Sequence, residues 1–257
     1  MAEKEGVQSV TRALSLMRLI AQGDGGVRLS DLARAAGLPV STAHRLLTTL
    51  EQQGFAQFEP VASAWHVGRD AFSVGMAYGR RLSFVAPALP MLRRLRDSTR
   101  ETANLGILDD DHLVTVSQVE SREIRRALSP PGRRVPVFSS AMGKAILASW
   151  RDDDVVALAE RAGLPSLTSK SLRTPAAALE EIRRTRLRGW ALDDEEFNTG
   201  MRCIAAVVWS PQAEAACAIS ISGAAARLTD DRLAMLGERV ALAADELTRL
   251  LGGTPAS

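Results

Sequence analysis

The sequence predicts an α+β protein in which a small helical domain, a linker helix and a larger domain of strands and helices follow one another. In the first domain, apolar residues recur at three- and four-residue steps, which is typical of amphipathic helices. In the larger domain, apolar runs of strand length alternate with helical periods. The predicted domains are residues 1–69 and 83–257, and the linker helix is residues 70–82.

Composition and charge indicate a soluble globular chain but do not identify its partner. The 257 residues are 46% hydrophobic, which is ample for a packed core. A net charge of +2 neither supports nor excludes nucleic acid as a partner. Most of the 32 basic residues are arginine, whose planar fork suits phosphate contacts, although codon bias produces the same composition.

Neither a metal centre nor a cofactor site is indicated by the sequence. Cys203 and Cys217 fit no zinc spacing, and no disulfide framework is expected in a reducing cytoplasm. The N-terminal residues carry charges of both signs and lack an apolar signal-peptide core. No uncharged apolar run approaches the roughly 20 residues of a membrane span. We therefore expect a cytoplasmic protein that does not enter a membrane.

The first two helices are predicted from periodicity and from candidate caps. Ser9 is placed to cap the first helix, and the glycine-rich stretch 23–26 ends it. Ser30 is placed to cap the second helix, with Asp31 in its first turn, where a negative charge suits the helix dipole. The predicted apolar face of the first helix consists of Val10, Leu14, Met17 and Ile20.

Residues 28–50 indicate two helices joined by a tight turn. Gly37 supplies the left-handed backbone that such a turn needs, and Pro39 sets the backbone for the start of a third helix near Val40. This pattern predicts a helix-turn-helix, although a three-helix core of another kind would share it. The inward positions, all small or apolar, are Leu29, Leu32, Ala33, Ala36, Leu38, Ala43 and Leu46.

The outer face of the third helix carries side chains suited to DNA. The hydroxyls of Ser41 and Thr42 can reach phosphates or base edges. Arg45 suits a guanine edge or, equally, a phosphate, whereas His44 could contact a base or stay solvated. Residues 1–70 hold seven basic and seven acidic residues, so binding would depend on charge segregation and dimeric avidity. The candidate DNA-binding residues are Ser30, Ser41, Thr42, His44, Arg45 and Arg69.

A two-stranded hairpin, or wing, is predicted at residues 55–68 around a turn at 60–63. Trp65 is expected to anchor this hairpin in the core. In the linker helix, Gly75 and Gly79 either weaken the helix or permit close packing against another helix.

The larger domain is predicted to mix strands and helices in one unit of about 170 residues, a normal domain size. Thr174 and Thr229 are placed to cap the last two helices, and Pro175 opens the first of them. The predicted helices are 87–101, 139–150, 152–162, 175–188 and 229–251; the strands are 102–108, 113–119, 124–128, 203–208 and 215–221; and 129–136 is predicted as a rigid loop.

With these elements and motifs, the chain resembles the IclR family of bacterial transcriptional regulators. Residues 7–55 resemble its winged helix-turn-helix. Three further motifs in order resemble its effector-binding domain: SSAMGKAILA at 139–148, GWALDDEEFNTGMRCIAAVV at 189–208 and AISISGAAARLTDD at 218–231. The resemblance covers nearly the whole chain.

The resemblance implies a GAF-like effector-binding domain, operator DNA bound by dimers or tetramers, and a small organic effector, often a carboxylate. Carried over from the glyoxylate- and pyruvate-responsive member, it implies a site of two backbone positions, an acidic residue, a cysteine and two serines. Met142 stands where a smaller residue is usual in that member, which leaves ligand size open. The implied effector-binding residues are Ala141, Met142, Asp193, Cys203, Ser220 and Ser222.

Physical chemistry is consistent with this site, and simpler interpretations stay open. Backbone N–H groups at a helix start hold a carboxylate well, and serines two apart on a strand face one side. Residues 193–196 could instead form a solvated turn, and Cys203 could be an ordinary buried residue.

Three functions remain at this point. The first is a ligand-responsive transcriptional regulator, repressor or activator, that acts as a homo-oligomer, because one neutral winged helix buries little DNA. The second is a sensor or interaction module without DNA binding. The third, an enzyme, is disfavoured because His44 and His66 lie in the first domain, His112 follows an acidic turn, and no base is evident beside Cys203. The linker helix and, less so, the helix at 175–188 are candidate interfaces.

Overall fold

The computed structural model divides the chain into two compact units, the first ending at Leu82 and the second beginning at Ser83. Within the described part of the chain, no helix is both long enough and apolar enough to cross a membrane. The predicted strand at 124–128 lies outside the described residues. The residues that the structure describes are 6–23, 25–79, 81–121 and 130–254.

The N-terminal unit is a winged helix-turn-helix, as the sequence predicts. Its two short strands form an antiparallel hairpin in which Phe58 pairs with Trp65. Trp65 also forms an isolated bridge to Val27, just before the second helix. The elements are α1 (Gln8–Gln22), α2 (Leu29–Ala35), α3 (Val40–Gln52), β1 (Ala56–Glu59), β2 (Ala64–Val67) and α4 (Arg69–Gly79).

The core of this unit differs from the predicted one at α1. Ile20 is buried as expected, but Leu16 is the second fully buried residue of the helix, and Val10 and Leu14 are about half exposed, at 54% and 51%. The prediction is wrong for the first turns because only the C-terminal half of α1 packs in the core. Trp65 is 2% exposed and lies in the core, which confirms its predicted anchoring position.

Both serine caps predicted in this unit are wrong. Helix α1 begins at Gln8 after Val7, and α2 begins at Leu29, so Ser9 and Ser30 lie inside first turns. Leu29 joins α2 because its side chain packs against the core. The turn itself is as predicted: Gly37 has φ +63°, which a residue with a side chain rarely adopts.

The C-terminal unit contains a six-stranded antiparallel sheet in the order β5-β4-β3-β8-β7-β6. Helices α5 and α9 pack against each other; α5 also packs against β3, and α9 against β7. Helix α6 packs against β6, β7 and β8. The elements are α5 (Val85–Thr99), β3 (Thr102–Asp109), β4 (His112–Val119), β5 (Arg134–Pro136), α6 (Ala141–Leu147), α7 (Asp152–Ala162), α8 (Pro175–Arg188), β6 (Ala191–Asp194), β7 (Met201–Trp209), β8 (Ala215–Ala224) and α9 (Asp230–Leu250).

Several local predictions in this unit need correction. Part of the predicted loop, Arg134–Pro136, is an edge strand because it pairs with His112–Val114 of β4. Ala191–Asp194 is a strand because it pairs with β7, a partner that local sequence does not reveal. Helix α6 is shorter than predicted, since a 3₁₀ turn occupies Val137–Ser139. The Thr174 cap is confirmed, whereas Thr229 precedes α9 without a side-chain cap bond.

Candidate functional site

Helix α3 separates its buried and exposed residues cleanly. Ala43 and Leu47 are fully buried against the rest of the unit. Ser41, His44 and Arg45 are exposed on the outer side. Thr42 is half-buried. The helix therefore presents a polar face that is available to an external partner.

The remaining candidate DNA-binding residues lie on other elements. Ser30 is exposed on α2, where it faces solvent and does not cap the helix. Arg69 begins α4 immediately after the hairpin, and its side chain is 94% exposed. The structure thus places the six candidates on three elements of one unit, with four of them on α3.

The six implied effector-binding residues meet around one cavity of about 40 Å³ in the C-terminal unit. They come from the start of α6, from β6 and β7, and from β8, which are far apart in the sequence. The sequence did not predict the other residues that line the cavity, which are Asn104, Leu113, Thr115, Val135, Ser139, Ser140, Phe197, Asn198 and Met201.

Two serines form the polar wall of the cavity on β8. Asn104 on β3 donates from Nδ2 to Ser220 Oγ at 3.1 Å and to Ser222 Oγ at 3.2 Å. Its Oδ1 accepts from Gln118 Nε2 at 2.7 Å. An asparagine inside the apolar run of β3 was the available sequence signal, because a buried amide needs partners.

Asp193 is 4% exposed and closes the turn after β6. Its Oδ1 accepts from the backbone N–H of Glu196 at 2.8 Å and of Phe197 at 3.3 Å. Burial raises the pKa of Asp193 to about 7, although the nearby Lys144 ammonium opposes the shift. The cavity therefore contains a carboxyl group that changes charge near neutral pH.

Cys203 pairs with Asp193 across the β6–β7 ladder. Burial, and next the Asp193 carboxylate, raise the pKa of the Cys203 thiol well above its ordinary value. Cys203 is therefore a neutral thiol at physiological pH and not an activated nucleophile.

A buried ion pair lies behind Asp193. Lys144 Nζ lies 2.6 Å from Glu196 Oε1 and 2.7 Å from Oε2, and the two side chains are 0% and 8% exposed. Burial raises the pKa of the Glu196 carboxyl, while Lys144 lowers it. Local patterns do not predict this pair, because its members are separated by 52 positions.

The acidic run at 193–196 is therefore not uniformly a solvated turn. Asp194 accepts from Arg202 Nε at 2.6 Å, and Glu195 accepts from Lys170 Nζ at 2.6 Å, at the partly exposed side of the run. Those two residues fit the solvated interpretation, whereas Asp193 and Glu196 are buried and contradict it.

The start of α6 shapes the rest of the cavity. Ser140 Oγ accepts from the backbone N–H of Gly143 at 3.3 Å and caps the helix. The first backbone N–H groups of a helix have no carbonyl partner within it, which applies here to Ala141 and Met142. A Cβ on Gly106 would lie 3.0 Å from Met142 Cε, so the Met142 side chain fills the space against β3.

An exposed recognition-type helix in a winged helix-turn-helix, followed by a unit that contains a small cavity with a few polar groups in its lining, defines a transcriptional regulator with an effector-binding domain. Comparison with known families identifies which family of regulators this is. Residues 9–60 match the IclR helix-turn-helix domain, and residues 76–249 match the C-terminal domain of bacterial transcriptional regulator IclR. The chain belongs to the IclR family of bacterial transcriptional regulators.

Relatives and solved structures agree with this assignment. The transcriptional repressor IclR of Escherichia coli K12 is 41% identical over 249 residues, covering 96% of this chain and 91% of that protein. A transcriptional regulator of Rhodococcus sp. RHA1 has a TM-score of 0.78 at 28% identity, covering 96% and 98%. An IclR homologue of Microbacterium hydrocarbonoxydans, solved with 4-hydroxybenzoate, shares the fold with a TM-score of 0.76 at 18% identity, covering 95% and 100%.

Proposed function

We propose that this protein is a transcriptional repressor that binds operator DNA as a homo-oligomer and responds to a short-chain carboxylic acid. The observation that carries the proposal is the meeting of six residues, widely separated in sequence, around one cavity. The names of its relatives support repression, since the Escherichia coli relative at 41% identity is a repressor.

The size of the cavity supports a short effector. A volume of about 40 Å³ compares with the roughly 10–15 Å³ that one water molecule requires. The space therefore suits an acid of a few carbon atoms. An aromatic acid such as the 4-hydroxybenzoate held by the Microbacterium homologue would require the Met142 side chain to move away from Gly106.

The few hydrogen-bond donors that line the cavity support a carboxylate. The hydroxyls of Ser220 and Ser222 and the backbone N–H groups of Ala141 and Met142 would supply donors to the two carboxylate oxygens. Asp193, in its protonated form, would donate to an acid oxygen, and the neutral Cys203 thiol would lie against the carbon chain.

On the DNA side, we propose that α3 lies in the major groove. Arg45 would take a guanine edge or a phosphate, with Ser41, Thr42 and His44 beside it on the same helix. Ser30 and Arg69 would contact the DNA backbone from outside α3.

We also propose that residues 1–69 form the DNA-binding domain, that residues 70–82 form the helix that links the two domains, and that residues 83–257 form the effector-binding domain. The oligomer is supported by apolar exposure. Helix α4 exposes Phe72 by 69% and Val74 by 59%, which a second copy would cover. Two half-sites would also supply the affinity that a neutral DNA-binding unit lacks.

Enzymatic activity is not part of the proposal. The thiol of Cys203 is neutral, and His112, the one histidine of the C-terminal unit, contacts Asp111 at 2.5 Å and does not line the cavity. Asp193 lies beside Cys203, but burial and the Asp193 carboxylate raise the pKa of the thiol and so do not activate it.

The test is a salt-titrated gel shift with DNA flanking the gene and with scrambled DNA of equal length. We expect tighter binding to the flanking DNA and release by one or more acids of two to four carbons, but not by 4-hydroxybenzoate. If genome-wide selection of bound DNA returns no preferred sequence, the protein is a sensor without DNA binding. Release by the aromatic acid alone would contradict the short-effector assignment.

A further inference from the structure

A relay of polar side chains lies behind the serine wall of the cavity. Gln118 on β4 donates to Asn104 on β3, and Asn104 donates to both Ser220 and Ser222 on β8. Asn104 and Ser220 are 3% and 2% exposed, so the bond between them is shielded from water. The relay crosses three neighbouring strands of the sheet and ends at the cavity.

The two amide groups give this relay a direction. An amide has two N–H donors on nitrogen and lone pairs on oxygen, and the two ends look alike in shape. Here Gln118 Nε2 lies 2.7 Å from Asn104 Oδ1, which places the Asn104 oxygen on the β4 side. Both Asn104 N–H groups therefore point toward β8, one to each serine.

This assignment determines the orientation of the serine hydroxyls. A hydroxyl carries one hydrogen and two lone pairs, and each serine oxygen already accepts from Asn104. Its own hydrogen must point elsewhere. Neither hydroxyl donates to a protein acceptor among the described residues, and both line the cavity.

We propose that Asn104 is a positioning residue: it turns the hydroxyl hydrogens of Ser220 and Ser222 into the cavity, so that the site selects an anionic carboxylate over a neutral group of the same shape. The inference rests on the proposed role of the cavity as the effector site. Asn104 acts through the two serines and need not touch the effector.

The experiment compares two pairs of probes that differ in charge and donors but hardly in size. These are pyruvate with pyruvamide, and formate with formamide, measured by isothermal titration calorimetry on the full chain. In the wild type, we expect the carboxylate to bind at least about tenfold more tightly than its amide, because hydrogen bonds to a charged acceptor are stronger.

Asn104→Asp reverses the direction of the hydrogen bonds between position 104 and the two serines. A carboxylate at this position accepts from both serines, so their lone pairs face the cavity and the amide becomes the better ligand. We expect the preference to reverse. Gln118→Glu provides a second route if the first variant does not fold, because it can only accept from Asn104, which turns the amide round and presents its oxygen to the serines.

Asn198→Asp is the matched control for charge. Asn198 lines the same cavity but is exposed on the turn before β7. The same substitution there adds the same negative charge without replacing the donor to the serines. We expect it to weaken carboxylate binding without producing a preference for the amide.

The outcomes separate the two proposals. If wild type binds pyruvamide as tightly as pyruvate, the positioning role is overturned while the cavity remains an effector site. The same holds if Asn198→Asp reverses the preference as strongly as Asn104→Asp. If wild type binds none of the four probes, the short-carboxylate site of the proposed function falls, and the positioning role falls with it.

Discussion

The two units of the chain differ in where they place their polar side chains. Among the described residues of the N-terminal unit, the fully buried side chains belong to hydrophobic residues such as Leu16, Leu47 and Trp65. The C-terminal unit, in contrast, buries a lysine at 0% exposure, together with Asp193 and Glu196. Among the described residues, the first unit therefore has its polar and charged side chains at the surface, whereas the second unit also buries several of them.

The difference follows from the size of the partner that each unit is proposed to recognise. DNA is too large to be enclosed, so α3 must carry its polar side chains outward and its core can stay apolar. A short acid must be surrounded, and every buried polar group around it then needs a hydrogen-bond partner. We therefore expect substitutions of functional residues to leave the unfolding free energy unchanged in the first unit and to change it in the second.

The largest effect should come from breaking the buried ion pair. Lys144→Met leaves the Glu196 carboxylate buried without its partner, which costs about 3–5 kcal/mol of unfolding free energy. Denaturant unfolding would be followed by tryptophan fluorescence, to which Trp150, Trp190 and Trp209 of this unit contribute beside Trp65 of the other.

Lys170→Met is the matched control, because Lys170 pairs with Glu195 at a site where the lysine side chain is 44% exposed. It should cost far less unfolding free energy than Lys144→Met, because an exposed ion pair contributes little. Replacing both Lys144 and Glu196 by apolar residues should recover most of the lost stability. Equal costs for the two lysine variants would refute the distinction between the buried and surface pairs.

The next effect is on DNA binding and not on stability. Arg45→Ala should lose about 1–3 kcal/mol of operator binding if the side chain reads a guanine. The unfolding free energy should change by less than about 0.5 kcal/mol, because Arg45 is exposed. Fluorescence anisotropy with operator and scrambled duplexes measures the first quantity.

Arg34→Ala on α2 serves as the control for Arg45, since its side chain is also exposed, at 78%, and contacts Asp31. It should leave the preference for operator over scrambled DNA intact. Retained operator preference in Arg45→Ala would remove Arg45 from base recognition.

Effector binding should depend on pH through Asp193, whose pKa of about 7 lies far above its ordinary 3.8. Below pH 7 the carboxyl is neutral and accommodates a carboxylate. Above pH 7 binding must take up a proton, so affinity should fall about tenfold, or about 1.4 kcal/mol, per pH unit.

The neighbouring charged groups allow this titration to be isolated. Lys144 and Glu196 face Asp193 as an ion pair, and Cys203 stays neutral because its pKa is raised. Asp193→Asn keeps the shape and removes the proton, so its carboxylate affinity should be constant from pH 6 to 8. A wild-type affinity that is equally flat would contradict the raised pKa.

The smallest effects concern helix caps and distinguish the sequence prediction from the structure. Thr174→Ala removes a hydroxyl that accepts from Ala177 N–H and should cost about 1 kcal/mol. Ser30→Ala should cost less than about 0.5 kcal/mol, because Ser30 lies inside α2 and caps nothing. Thermal unfolding of both variants tests this; an equal cost for Ser30 would restore the predicted cap.

Local patterns predicted most of the N-terminal unit, since a helix-turn-helix is built from contacts between residues close in sequence. Gly37 and the buried positions of α3 follow from turn chemistry and helical period alone. The failures there, at Ser9 and at the Val10 face, arose because the length of α1 that reaches the core depends on what packs against it.

The cavity of the C-terminal unit was predicted less well from local patterns. Its six predicted residues came from family resemblance and not from periodicity, and the structure brings all six to one cavity. Asn104 was missed because its partners lie 116 and 118 positions away. Glu196 was left open between a solvated turn and a buried site, and only the position of Lys144 opposite it decides the question.

By itself, the sequence determined the class of fold, the helix-turn-helix with its outward face, and the motifs that identify the family. These depend on residue spacing along single elements. The tertiary structure alone decided which polar groups are buried, which partners they have, and how large the cavity is. Those properties arise where β3, β6, β7, β8 and α6 meet, and they depend on hydrogen bonds and burial between segments that no local pattern connects.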